Sequence, residues 1–284
     1  MTISTITRRS SAYPQLLREI AHPPKQLYVC GELRTDLPLV AIVGTRKPTR
    51  YGREITARLS GDLAQTGIGI VSGLALGCDA IAHRAALEAG GYTIAIMACG
   101  LDRLYPATNR QLGIRILRQK GVIISEYDSG MPPLKQNFAV RNRIISGLTL
   151  GVVITEAAER SGSLITATFA LEQNREVMAV PGNITSPLSA GTNNLIKAGA
   201  TPVTSAGDIL TALDLATTAN PSLAPSGSSP DEAAVLALLA EGVSDGDELL
   251  QRLEWEPARF NQVITLLELS GKVRSLGGGK WISN

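Results

Sequence analysis

The sequence predicts an α/β fold, a Rossmann-like, doubly wound, mostly parallel sheet followed by a small C-terminal winged-helix domain. Three observations predict it. Short runs of apolar, largely β-branched residues recur along the first three quarters of the chain without polar alternation, as strands buried on both faces do. Alanine-rich segments of helical period separate them, and such strand-helix alternation builds parallel sheets with helices on both faces. After Leu215 the composition shifts to Pro, Ser and Ala, and a second unit follows with three helical patterns and a glycine-centred hairpin.

A polar lead (residues 1–38) contains a short helix over 13–20, stopped by Pro23-Pro24 because proline disfavours the helical state before it. The main domain spans 39–215. Its strands are LVAIVG (39–44), IGIVSG (68–73), TIAIMACG (93–100), GVIISE (121–126), LGVVIT (150–155) and EVMAVPG (176–182). Helices are expected over 53–65, 80–89, 109–120 and 165–173. The tract TTANPSLAPSGSSP is read as a flexible linker (216–230), with too few apolar side chains to pack. In the last domain (231–284), helices over 232–240, 247–253 and 257–269 precede a hairpin in KVRSLGGGKWIS, the pattern of a winged helix.

At 284 residues, 44% hydrophobic and 18% charged, the chain can bury a full core. Lys+Arg 27 against Asp+Glu 25 announces no nucleic-acid binder, so any basic site must be local. From Asp231 onward nine acidic residues outnumber five basic ones, which places the cationic surplus in the large domain. The third helix of the small domain offers Arg259 and little else for a phosphate, so that domain reads as a protein-contact module. Three cysteines without CxxC spacing and two histidines argue against a metal site. No stretch reaches the roughly 18 apolar residues of a membrane span, and a cytoplasmic protein is expected. The absence of GxGxxG and GxxxxGK[ST] removes the parts for dinucleotide redox chemistry and P-loop hydrolysis, so no cofactor is expected.

In doubly wound folds, ligands sit at the carboxyl ends of the strands. Gly44-Thr45-Arg46 follows the first main strand, with Lys47, Arg50 and Arg53 behind it; glycine there lets backbone N–H groups approach a phosphate, and the arginines add charge. Gly73 ends the second strand, and Ser161-Gly162-Ser163 precedes a helix, where a serine can equally be an N-cap. After a Pro-rich turn, Lys135, Phe138, Arg141 and Arg143 lie close together in a chain only 4% aromatic. Stacking plus phosphate pairing is how single strands are held. The alternative is a core Phe138 with Arg141 or Arg143 paired to a carboxylate such as Glu126 or Glu156. His83 reads as structural, and Asp79, Asp102 and Glu126 as turn caps rather than catalytic acids.

Taken together, GTR at Gly44, SGLALGCD at Ser72, CGLDRLYPATN at Cys99, SEY at Ser125, FAVRNRIISGL at Phe138, VITEAAERSGSLITA at Val153, AVPGN at Ala179 and GTNNLIKAGA at Gly191 resemble, in order and spacing, the DNA-processing protein A (DprA/Smf) family. The resemblance implies a non-enzymatic homodimer that binds single-stranded DNA and helps load the RecA recombinase during natural transformation or recombination. It also implies that Arg46, Lys135 and Phe138 contact DNA. Leu76 and Ala139 stand where the family usually has arginine and proline, and the SAM-like N-terminal domain of some members is not evident. Ile209, Leu210 and Leu213 form an apolar stripe at helical spacing, either a dimer contact or a face that packs on the sheet. The competing reading is a nucleotide-processing hydrolase of the lysine-decarboxylase-like type. Its PGGxGTxxE glutamate has no counterpart here, since the acid after Ser161–Thr166 is Glu172, too far along.

Overall fold

The computed structural model describes residues 2–215, 229–240 and 242–283, in two compact units, Met1–Thr217 and Thr218–Asn284. In the first, a nine-stranded sheet has the order β1-β2-β6-β5-β4-β3-β7-β8-β9. Its parallel strands are β3 (Leu39–Val43), β4 (Gly69–Ser72), β5 (Thr93–Met97), β6 (Val122–Ser125), β7 (Gly151–Ile154), β8 (Glu176–Ala179) and the two-residue β9 (Thr201–Pro202). All six expected strands are present. Each ends one to three residues before its expected limit.

Side chains alternate faces along each strand even where every residue is apolar. Leu39, Ala41 and Val43 pack on one face with Ile144 and Ile145 of α5 (Lys135–Gly147) and Ala167 and Ala170 of α6 (Ser163–Glu172). Val40 and Ile42 pack on the other with Ile55, Leu59 and Leu63 of α2 (Arg50–Gln65) and Ala82 and Ala86 of α3 (Cys78–Glu88). Leu112 and Ile116 of α4 (Arg110–Arg118) cover β5 and β6 on the latter side. Both faces of the sheet are therefore closed, which is why its strands read as unbroken apolar runs.

Several elements depart from expectation. β1 (Ile3–Thr7) and β2 (Gln26–Gly31) form an antiparallel extension that pairs onto β6 through β2. The lead helix shrinks to α1 (Gln15–Arg18), with Tyr13 and Ile20 buried on either side of it. The segment carrying Lys135 and Phe138 is helix α5, beginning directly after the Pro-rich turn. Helices α7 (Ala190–Lys197) and α8 (Ala206–Ala212) complete the unit, α8 opening with a Ser205–Asp208 capping box. Ile209 and Leu210 of α8 are buried against the sheet, and Leu213 packs against the same cluster. Ile209 and Leu210 thus belong to the chain's own core, the sheet-packing alternative, which corrects their reading as dimer contacts, while Leu213 is only partly buried.

The proposed linker lies outside the described residues except for Ser229 and Pro230, and Pro230 already belongs to α9 (Pro230–Ala240). With α10 (Gly246–Leu253), α11 (Pro257–Leu269) and the hairpin β10 (Val273–Gly277) and β11 (Lys280–Ser283), it forms the winged helix. Phe260 sits at the centre of this core, edge-on to Trp281 with ring centroids 5.8 Å apart. Arg259, the cation of the third helix, lies over Trp255 and forks onto Asp231 at 2.6 and 3.0 Å. Among the described residues no helix is long and apolar enough to cross a membrane, and no group of three His, Cys, Asp or Glu is placed to hold a metal.

Candidate nucleic-acid interface

Strand order reverses between β4 and β7 on either side of β3, and such a switch point leaves a crevice outside the carboxyl ends of the strands. A cavity of about 720 Å³ occupies it. Gly44 and Arg46 form one wall, Lys135 and Phe138 a second, and Ser161, Gly162 and Ser163 at the start of α6 a third.

The turn from β3 to α2 is held by backbone bonds together with the Thr45 and Thr49 hydroxyls, the former accepting from Lys47 N–H at 3.3 Å. Thr45 N–H donates to the Glu156 carbonyl (2.8 Å), and Cys78 N–H donates to the Thr45 carbonyl (3.1 Å). Thr49 caps α2 by accepting from Gly52 N–H (3.0 Å), while its own N–H and hydroxyl donate to the buried Glu156 carboxylate at 2.8 and 2.5 Å. Gly77 must be glycine: its φ is +77°, and a Cβ there would overlap the Thr45 carbonyl oxygen and lie 2.6 Å from the Arg46 carbonyl carbon. With its backbone fixed, the turn leaves Arg46 and Lys47 exposed, and neither forms an ion pair among the described residues.

Helix α5 explains the second wall. Lys135, Phe138, Ala139, Asn142 and Ile145 recur at helical spacing and line the cavity. Lys135 is exposed at the first helical position and Phe138 is half-buried. The Arg46 guanidinium carbon lies 5.5 Å from the Phe138 ring centroid. Tyr105 also lines the cavity, its ring centroid 5.7 Å from that of Phe138 and tilted by 54°, so that two of the few aromatic rings meet there. Tyr105 lies in the Cys99–Asn109 motif, where sequence reasoning singled out Asp102 and passed it over; its rarity as an aromatic was the available signal.

Arg141 and Arg143 diverge. Arg141 is 4% exposed and forms the cavity floor, its Nη1 donating to the carbonyls of Gly73 (2.9 Å) and Ile96. Asp79, also on the floor, accepts from Gly73 N–H (3.0 Å) and Ala75 N–H (3.3 Å). Burial pushes the Asp79 carboxyl up, with the Arg141 charge opposing, and pulls Arg141 down to about 10, still charged at neutral pH. Gly73 therefore shapes the floor with its backbone and does not line the cavity, and neither does Thr45. Arg143 points away and forks onto Glu126 at 2.6 and 3.1 Å, both side chains about 15% exposed. Its donors serve an ion pair, the structural alternative weighed for it, so it is removed from the set facing the cavity.

On the third wall, the Ser161 and Ser163 hydroxyls share a hydrogen bond (2.8 Å), and the Gly162 carbonyl takes Asn142 Nδ2 at 3.4 Å. His83 is enclosed elsewhere: its Nδ1 meets Thr93 Oγ1 at 2.7 Å, the Thr93 hydroxyl donates to the Ile70 carbonyl, and burial holds the ring neutral with a pKa near 3. That is the structural role expected of it.

Residues 4–214 match the family model described as DNA recombination-mediator protein A, and residues 218–279 match the DprA winged helix domain. The chain is 43% identical over 209 residues to the DNA processing protein DprA of Bacillus subtilis, covering 73% of this chain and 70% of that protein. It is 40% identical over 280 residues to the protein Smf of Escherichia coli, covering 95% and 75%. The X-ray structure of DprA from Streptococcus pneumoniae superposes with a TM-score of 0.69 at 40% identity over 74% of each chain. A structure of the Helicobacter pylori protein, concerned with its single-stranded DNA binding mode, gives 0.67 at 35% identity over 75% of this chain and 96% of that one. On these matches, which span both units, the chain belongs to the DNA recombination-mediator protein A family.

Proposed function

We propose that this chain binds single-stranded DNA in the switch-point cavity and acts as a non-enzymatic, cytoplasmic mediator that protects incoming strands and helps load the RecA recombinase. The observation that carries the reading is the grouping of Arg46, Phe138 and Tyr105 beside exposed Lys135: two rings offer stacking faces, and two cations with no carboxylate partner among the described residues offer phosphate contacts. The α6 N-terminus on the opposite wall adds N–H groups and the positive end of a helix dipole. The single-stranded DNA binding of the Helicobacter pylori relative supports the same ligand.

A mediator role rather than turnover is supported by the state of the acids. One Asp79 oxygen accepts from two backbone N–H groups, and both Glu156 oxygens accept from Thr49, so these carboxylates serve to hold the turns around the cavity. The family resemblance supports a homodimer, on a surface other than the Ile209–Leu213 stripe. The winged helix, with Arg259 already spent on Asp231, fits a protein contact better than phosphate recognition. Fluorescence anisotropy with single- and double-stranded oligonucleotides across a salt series tests the central claim. Tighter binding of the single strand with a linear salt slope is expected, and equal affinity for both forms at every salt concentration would refute it.

A further inference from the structure

A second cavity, of about 570 Å³, opens beside the first and takes no part in the site described above. Tyr51, Pro181, Asn183 and Ser189 line it, with Thr49 and Glu156 at its inner wall. It lies on the same carboxyl edge of the sheet, since Thr49 follows β3, Glu156 follows β7, and Pro181 follows β8. The turn over 44–49 is the partition between the two cavities: Gly44 and Arg46 face one, Thr49 the other.

What lines the partition is informative. Arg46, Lys47, Arg50 and Arg53 are all exposed and form no ion pair among the described residues, a run of free cations along one turn and the first turn of α2. The only carboxylate in either wall of the second cavity, Glu156, is 2% exposed and taken up by Thr49. Tyr51 stands 46% exposed, and its hydroxyl donates to the Pro181 carbonyl (2.8 Å), which fixes the ring at the mouth. A cationic ridge flanked on both sides by aromatic cavities matches a nucleic-acid single strand, whose phosphates follow the charge while its bases stack on ring faces. Its volume lies within the roughly 300–1,000 Å³ of small-ligand pockets.

We propose that the Tyr51 cavity is a second base subsite: the strand held at Phe138 continues over Lys47 and Arg50, and a neighbouring base stacks on Tyr51. This rests on the single-strand reading of the first cavity, and the test separates the two. The full chain is titrated with oligothymidylates from about 4 to about 16 nucleotides, the range of site sizes for such grooves. Wild type gains affinity at the length that spans both cavities. Tyr51→Ala is expected to remove that gain, weakening the longer strands about 5- to 150-fold, the equivalent of one lost stack, and to leave the shortest strands unchanged. Tyr51→Phe, which keeps the ring, is expected to retain the gain. A strand carrying 5-iododeoxyuridine should cross-link to Tyr51 in the wild-type protein, a readout independent of how any variant folds. Wild-type binding at all lengths by Tyr51→Ala, or no cross-link at Tyr51, with Phe138→Ala impaired, overturns the second subsite alone. Wild-type binding by both Phe138→Ala and Arg46→Ala overturns the first reading and the second with it.

Discussion

Replacing Arg46, Lys135 and Phe138 by alanine, singly and in pairs, dissects the switch-point cavity. Lys135 is exposed and contacts no ring, so its loss removes one phosphate contact and should flatten the slope of log affinity against log salt by about 0.7. Phe138→Ala should cost about 1–3 kcal/mol, the worth of one stacked base, and leave that slope nearly unchanged. On the proposed site Arg46 does both jobs: it would offer a phosphate contact, and its guanidinium lies 5.5 Å from the Phe138 ring centroid. At an exposed site that cation–π contact is worth about 0.5–1 kcal/mol. The double-mutant cycle for Arg46 and Phe138 should therefore show coupling of about that size, while the cycle for Lys135 and Phe138 should be additive within about 0.5 kcal/mol. Fluorescence anisotropy over a salt series supplies every affinity, and thermal melts verify that each variant folds. Wild-type affinity and slope in both Arg46→Ala and Lys135→Ala would refute the site. Unfolding of Phe138→Ala would return that residue to the core.

Further outcomes follow from neighbouring geometry. Arg143→Ala strands the largely buried Glu126 carboxylate and should lower stability by up to about 3 kcal/mol in urea melts, with the DNA salt slope unchanged. Gly77→Ala should lose about 1–3 kcal/mol of stability and also weaken single-strand binding, because the new methyl presses on the turn that carries Arg46. His83 titrates near 3 in the fold against about 6.5 when exposed, so the unfolded chain binds more protons below that value. Stability from this group is complete above pH 6.5 and should fall with pH from there towards 3, by up to about 1.4 kcal/mol per pH unit. His83→Asn, compared by urea melts at several pH values, should flatten that dependence.

Much of the architecture was legible in the sequence because burial on both faces leaves strands no polar residues to confuse with turns. The antiparallel extension was not: Ile3–Thr7 is half polar and mostly exposed, so it reads as a tail until β2 supplies its partner. Helix α5 was hidden for a different reason. Pro132-Pro133 and a cluster of cations resemble a loop, and the helical period appears only once Lys135, Phe138, Asn142 and Ile145 are known to share a face. That period also separates Arg143 from Arg141, a distinction that residue type could not make. The Ile209–Leu213 stripe misled because an apolar helix face looks the same in sequence whether it meets a sheet or a second chain. Tyr51 carried no motif and became visible only through the cavity it borders.

The parallel pairing of β3 with β7, in which Ala41 lies opposite Val152 and Val43 opposite Ile154, joins stretches far apart along the chain. Pairing between stretches so far apart carries a large loop-closure entropy. The cavity between their carboxyl ends exists only after that closure, and it cannot open widely without parting the two halves of the sheet. Single-stranded DNA bound there as proposed would stabilise the folded unit by mass action. DNA should then slow hydrogen exchange in the central strands, well away from every residue it touches.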